Sequence, residues 1–451
     1  MNQPAGEYVY LLAFLLIFTV SPFKGEVPQR IRDQGTATDP GPRAGAAAAG
    51  GPIAGLTAAE TAVFNDGLQT FNEIDDVRGT VTGNKGLGPA FNLDGCAMCH
   101  AHPSVGGTSP AQNPQLQRKN IAGALNPTEF LNGSLTPNGP VRELRRLSLG
   151  GGVQGLFSIK GRSDATGCNL NATDLRAIPA SDQRFRIPTP VFGLGLIEAI
   201  SDETIAANET LRQMGISGHA NRSGNDGTIT RFGWKAQNKS LTIFAGEAYN
   251  VEQGVSNEVF PSERRPAGSV PGCVFNATPE DYSDLSASTP AHAGGDVEAF
   301  ANFMRYLAPP APASSGFTTT IGVTVKAASV ANGKTAFSTA GCKLCHTPAM
   351  TTGKHPSAAL SDKTANLYSD LLVHDVGTGD GITQGAALGD EFRTAPLWGV
   401  GQRLFFLHDG RASDIVDAVE QHQGEASGVT KRYRQLSPAD RQDLINFLRS
   451  L

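Results

Sequence analysis

The sequence predicts a mainly α-helical fold of two unequal halves with long loops, the first half enlarged by an insertion. Three observations carry this reading. Two Cys-x-x-Cys-His pentads, Cys96-Ala-Met-Cys99-His100 and Cys342-Lys-Leu-Cys345-His346, stand far apart in the 451 residues. Each half closes on an amphipathic segment, Asp296 to Leu307 and Ala439 to Leu451, and Asn302-Phe-Met-Arg-Tyr-Leu307 echoes Asn446-Phe-Leu-Arg-Ser-Leu451 as an internal repeat. A Pro-rich break, Ala308-Pro-Pro-Ala-Pro-Ala313, separates them.

The pentads carry chemistry. Two thiols three positions apart suit thioether bonds to the two vinyl groups of one haem, and the adjacent histidine then lies under the iron as axial ligand. A zinc site would want a second ligand pair close by and gives the histidine no special role. A thioredoxin-like motif expects a βαβ context that neither pentad has. The expectation is therefore two covalently bound haem c groups, on Cys96, Cys99 and His100 and on Cys342, Cys345 and His346, in two cytochrome c-like haem domains whose first and last helices pack together. The 53 glycines and 28 prolines, with only 18% charged residues, suit long loops wrapped around bulky cofactors.

From the amino terminus, residues 1–24 read as a signal peptide or anchor. The apolar run Tyr8 to Val20 is short for a bilayer span and resembles a signal h-region, although no Lys or Arg precedes it and no Ala-x-Ala site follows. Because c-type cytochromes mature outside the cytoplasm, the expected location is the periplasm, with membrane contact only if that segment is retained. Residues 25–55, rich in Gly, Ala and Pro, read as a flexible tether. Thr57 and Glu60 then have capping-box spacing before a helix. The expected domains are 56–307 and 316–451, joined by linker 308–315.

The insertion runs roughly from Asp164 to Ala291, with segments such as Gly227 to Trp234 as short strands or loops. Cys168 and Cys273 lie outside the pentads. An oxidising compartment favours a disulfide between them, and two separate buried thiols are the alternative. A net charge of −5 argues against nucleic acid as a partner.

The sixth position on each iron decides function, since strong ligands on both irons mean electron transfer and an open position means chemistry with peroxide or oxygen. Seven histidines lie outside the pentads: His102, His219, His292, His355, His374, His408 and His422. His422 shares a helical face with Ile415, Ala418 and Val419; a histidine on an apolar stripe is most often a core residue. His408, in a turn after Phe405 and Phe406, is a candidate partner for a haem propionate or a plain turn residue. No histidine falls between His102 and His219, and His102 is too near its own pentad to reach the opposite face. The first site therefore reads as open.

The stretch Phe392 to Gly401, then Phe406-Leu-His-Asp-Gly-Arg411 and His422, resembles the second haem domain of bacterial di-haem cytochrome c peroxidases. There the residue fourteen after the turn histidine is the distal ligand of the electron-transfer haem, so the resemblance makes His422 an iron ligand where those enzymes typically carry methionine. A closer similarity is to the di-haem oxidoreductase family of peroxidase-related proteins. It rests on Gly86-Leu-Gly-Pro-Ala-Phe-Asn92, Gly193-Leu-Gly-Leu-Ile-Glu-Ala199, Arg231-Phe-Gly-Trp-Lys-Ala-Gln237 and Leu367-Tyr-Ser-Asp-Leu-Leu-Val-His-Asp375, and covers roughly residues 56–451.

The resemblance implies further roles. Trp234 would sit where peroxidases carry an inter-haem tryptophan, or simply pack between domains. Asn250-Val-Glu-Gln-Gly254 is similar to a shortened form of the loop that bears their catalytic glutamate, which makes Glu252 the candidate base and Glu198 the reserve. Electrons would pass from a small periplasmic donor, a cytochrome or copper protein, through the C-terminal haem to hydrogen peroxide or another small oxidant at the N-terminal haem. Bis-histidine ligation would lower the potential of the second haem relative to a His/Met pair. The competing readings are a pure electron-transfer di-haem cytochrome and a di-haem oxygenase resembling the rubber oxygenases. A calcium ion between the domains stays open.

Overall fold

The computed structural model describes residues 37–81, 85–117, 134–170, 173–210, 213–264, 273–284, 286, 294–313 and 315–451. The apolar run 8–20 and His292 lie outside them, and among the described residues no helix is long and apolar enough to cross a membrane. Ala37 to Leu451 form one compact unit. Helix (33%) outweighs strand (12%), in keeping with a mainly α fold.

Two helix pairs organise that unit. Helix α1 (Ala58–Phe71) opens on the expected capping box, with the Thr57 hydroxyl accepting from the Glu60 amide and the Glu60 carboxylate accepting from the Thr57 amide. Helix α2 (Leu241–Ala248) and the closing helix α3 (Gly295–Tyr306) complete this half, and α1 packs along α3. In the second half, α4 (Ala327–Ala340) packs along the last helix, α7 (Pro438–Ser450), with α5 (Ile415–Glu420) and α6 (Ser427–Gln435) between them in sequence.

Both pairs cross at a glycine. A Cβ on Gly67 would lie 2.2 Å from the Ala299 carbonyl oxygen, and one on Gly333 1.9 Å from that of Asp443. In each pair the next helical turn carries a phenylalanine, Phe71 and Phe337, beside the pentad histidine. The repeat legible in the closing helices thus extends to their partners.

Sheet is sparse. Strand β1 (Glu143–Arg146) pairs antiparallel with β2 (Gly152–Gln154) and β3 (Gln183–Arg186) on either side. Strand β4 (Val373–Asp375) pairs antiparallel with β5 (Glu391–Arg393), placing His374 opposite Phe392. Cys168 and Cys273 form a disulfide.

Part of the expected tether is docked. The Asp39 carboxylate accepts from the buried Arg449 guanidinium (Nε to Oδ1, 2.8 Å), and the Arg43 amide donates to the Gly401 carbonyl at 2.9 Å. A Gly/Ala/Pro composition does not reveal that one aspartate in it caps a buried arginine at the far end of the chain.

Candidate functional site

Each half holds one large cavity at its pentad. The C-terminal cavity encloses about 1340 Å³ of non-atom space, part of it open to solvent. Cys342, Cys345 and His346 line it, with Phe337 of α4 and Leu444 and Leu448 of α7. The His346 ring nitrogen Nδ1 lies 2.9 Å from the Tyr368 carbonyl oxygen, to which it donates as Nδ1–H, leaving Nε2 bare. Burial holds His346 neutral by lowering its pKa to about 4. His422 lines the same cavity, and its Nδ1 lies 2.7 Å from the Ala418 carbonyl oxygen. Burial lowers its pKa as well. Two neutral imidazoles, each with the outer nitrogen tied to a carbonyl, are the form in which histidine binds metal.

The N-terminal cavity, about 1150 Å³, repeats the plan with Cys96, Cys99, His100, Phe71 of α1 and Phe300 and Met304 of α3. His100 Nδ1 is 2.9 Å from the Gly107 carbonyl oxygen, and burial lowers its pKa to about 4. Met304 stands where Leu448 stands in the other half, on the helix face that packs along the pentad.

The two cavities then part company. No second histidine lies among the described lining residues of the first. Its wall carries Glu252, on the single π-helical turn Tyr249–Gln253 that continues α2, and Glu143 and Arg145 of β1. Arg145 Nε donates to Glu143. The two carboxyls share a hydrogen bond: burial and the Glu143 charge push Glu252 well above the usual carboxylate range. Burial also opposes ionisation of Glu143, but Arg145 outweighs it and holds Glu143 below that range. Of the pair, Glu252 is the one biased toward holding a proton and Glu143 the one biased toward ionisation.

Trp234 lines both cavities. Its Nε1–H donates to the Ile187 carbonyl oxygen at 2.8 Å, and its ring meets Phe392 and His408 edge-on at 6.5 and 6.4 Å. The Lys235 side chain beside it is fully buried against the Leu388 and Glu391 carbonyls and Asp380.

Other expectations find different places. Glu198 lines neither cavity; its carboxylate accepts from the Leu241 amide and the Arg305 guanidinium, both at 2.9 Å, and so caps α2 and anchors α3. His102 turns away to the Gln402 carbonyl oxygen at 2.7 Å. His408 does line the C-terminal cavity, stacked on Phe392 at 4.1 Å. A better partner for an acidic group there is Arg403, whose buried Nε and Nη2 find no hydrogen bond among the described residues. Sequence reading passed over Arg403, Glu143 and Arg145, since nothing local marks one arginine or one strand glutamate as facing a cavity.

The residues fit haem: thiol pairs three apart, ligand-form histidines, apolar walls and a buried guanidinium in need of an anion. They define a class, proteins that hold a large redox cofactor in each of two pentad-lined cavities. The chain belongs to the family described as "Di-haem oxidoreductase, putative peroxidase", which matches residues 161–451. That match leaves out the first pentad and β1. No curated protein matches.

Among solved structures, a xenon-pressurised hydrazine synthase from Kuenenia stuttgartiensis is 19% identical over 45% of this chain and 71% of its own, with a TM-score of 0.23. A MauG-like protein associated with microbial copper homeostasis is 15% identical over 58% of this chain and 89% of its own, with a TM-score of 0.26. At these scores neither likeness bears on fold or activity.

Proposed function

We propose that this protein is a periplasmic di-haem c-type oxidoreductase that reduces peroxide at its N-terminal cavity with electrons delivered through its C-terminal one. The observation that carries the reading is the asymmetry of the cavities. His346 and His422 offer two imidazoles to one cofactor, while His100 is the only histidine among the described residues lining the other, which it shares with Glu252, a carboxyl whose pKa burial raises. The Cys168–Cys273 disulfide supports an oxidising compartment. Cys96 and Cys99, and Cys342 and Cys345, would hold the haems by thioether bonds, with His100, His346 and His422 as iron ligands.

When bound, haem would supply an iron able to exchange single electrons and to take up a small oxidant. The chain supplies protons and path. Peroxide reduction consumes two protons and two electrons for the two waters formed. Glu252 holds one proton at its carboxyl inside the cavity and is the general acid for the departing oxygen; Glu143, kept ionised by Arg145, is the adjacent acceptor that takes a proton up. Trp234, shared by both cavity walls, is the candidate electron bridge. A small periplasmic cytochrome or copper protein would be the donor.

The test is peroxide consumption by the purified holoprotein, as isolated and after one-electron reduction, with haem spin states read by low-temperature EPR. One high-spin and one low-spin haem with turnover, lost in Glu252→Gln, are expected. Two low-spin haems and no consumption in either state would make the protein an electron carrier and end the proposal.

A further inference from the structure

The segment Leu367 to Asp375 forms a charged cluster that the peroxide chemistry does not use. Strand β4 carries His374, 2% exposed, into the wall of the C-terminal cavity. Both of its ring nitrogens meet carboxylates, Nε2 with Asp370 Oδ2 at 2.9 Å and Nδ1 with Glu425 Oε2 at 3.0 Å. Nδ1 also lies 3.9 Å from the Cys345 sulfur. A neutral imidazole has one N–H and would present a lone pair to one of these carboxylates; only the doubly protonated ring satisfies both.

Three separate segments build this arrangement. The Ser217 amide donates to Glu425 Oε2 at 2.7 Å. Gly218 lies flat against the ring, since a Cβ there would come within 2.0 Å of His374 Cε1. The Asp370 amide donates to the Cys345 carbonyl at 2.8 Å, which ties the cluster to the pentad. Cys345, Asp370 and His374 also lie close enough to hold a metal ion. With Cys345 committed to a thioether, two ligands would remain, too few for such a site.

We propose that Asp370 and Glu425 clamp His374 as a permanent imidazolium beside the haem-attachment cysteine, and that this buried charge raises the reduction potential of the haem held by His346 and His422. His374 touches no reacting atom; it is a positioning residue that acts through its field. The groups acting on it are Asp370, Glu425 and Cys345, with His346 nearby; Arg393 on β5 acts on the same Asp370. His346 is neutral, so with His374 charged the two carboxylates and the two cations cancel. With a neutral side chain at 374, one carboxylate stands uncompensated in a buried wall. Reduction adds one electron, and its charge, to that cavity. The imidazolium therefore favours the reduced state and offsets the lowering that bis-histidine ligation brings. Burial would discharge His374, but its hydrogen bonds to Asp370, Cys345 and Glu425 push its pKa up to about 12, which keeps the charge fixed across the physiological range.

The test needs no peroxide, so its failure is distinct from failure of the peroxidase reading; it rests only on haem at the second pentad. The C-terminal haem of the holoprotein is titrated potentiometrically with one-electron mediators between pH 6 and pH 9, in wild type, His374→Gln and Glu425→Gln. The wild-type potential should be independent of pH. His374→Gln should disfavour reduction tenfold or more, about 59 mV for one electron. Glu425→Gln, near the rim and partly exposed, keeps the imidazolium on Asp370 and should shift the potential upward. A His374→Gln potential within twofold of wild type with an unchanged haem spectrum would overturn the proposal. So would a wild-type slope of one proton per electron. Should His374→Gln fail to assemble, Glu425→Gln decides: an upward shift upholds the clamp, and no shift or a downward one refutes it.

Discussion

The disulfide offers a stability prediction whose size follows from its place in the chain. Cys168 and Cys273 are 105 residues apart and buried, at 5% and 2% exposure, in a cluster with Leu170, Leu175 and Ile178. The segment they close includes Trp234, α2 and the turn bearing Glu252. In the chain-entropy account a loop of that length removes about 16 cal/mol/K from the unfolded ensemble, or about 4.7 kcal/mol at 25 °C. For the compact unit from Ala37 to Leu451, the usual per-residue entropy of unfolding totals about 0.9 kcal/mol/K, so a cooperative melt should move by about 5 °C. The perturbation is the double variant Cys168→Ala/Cys273→Ala, apolar at both buried positions. The assay is calorimetry of the holoprotein, together with thiol alkylation under denaturing, non-reducing conditions. With the four pentad cysteines in the proposed thioethers and two in the disulfide, wild type should show no reactive thiol, and reduction should reproduce most of the shift seen in the variant. Two alkylated thiols in wild type, or a variant that melts with wild type, would refute the reasoning.

Three further outcomes follow from the cavities. Trp234→Phe keeps an aromatic ring but loses the reach into both cavities and the bond to Ile187; stopped-flow reduction should show electron transfer between the haems slowed tenfold or more, equivalent to about 1.4 kcal/mol in the barrier, with both haem spectra unchanged. Arg403→Met should destabilise the haem-loaded protein by about 1.5–3 kcal/mol, the worth of a hydrogen bond to a charged group. In a Cys342→Ala/Cys345→Ala background without haem at that site, the same change should not destabilise, because Nε and Nη2 have no partner among the described residues to lose. His374 predicts a pH signature of stability: its folded pKa is raised from 6.5 to about 12, so its contribution is complete below pH 6.5 and declines as pH rises toward 12, by about 1.4 kcal/mol per unit. The gap in melting temperature between wild type and His374→Gln should therefore narrow steadily from pH 7 to pH 10, and a widening gap would contradict the imidazolium.

What could be read from the sequence was whatever chemistry writes at short range. A pentad compresses its bond-forming atoms into five residues, a capping box into four, and the closing helices share four of six residues over Asn302–Leu307 and Asn446–Leu451 because each must pack on the same kind of wall. Gly67 with Phe71 and Gly333 with Phe337 carry the same four-residue signature on the partner helices and went unread, since a helical glycine signals nothing until the crossing helix is known. Trp234 and Glu252 became candidates only through family resemblance. Glu143 and Arg145 could not: they lie on a strand more than a hundred residues from Glu252, and alternation along β1 says which face they share but not what that face meets. Glu198 failed for the converse reason. A glutamate in a glycine-rich turn looks poised for chemistry, yet an unpaired helix amide and a neighbouring arginine make an equally good use of a half-buried carboxylate.

The asymmetry between the halves follows from where the frame repeats and where it does not. Helix crossing, phenylalanine, pentad and Nδ1 donation to a carbonyl recur in both, so the frame alone would build two equivalent redox centres. The difference lies in the rest of each cavity's lining. In the second half a short helix, α5, returns an imidazole; in the first, the insertion returns a π-helical turn whose extra residue per turn re-aims one side chain from α2, and that side chain is a carboxyl. The same insertion contributes Trp234 to both walls. One added segment thus supplies both a carboxyl to the first cavity and the tryptophan that lines the two.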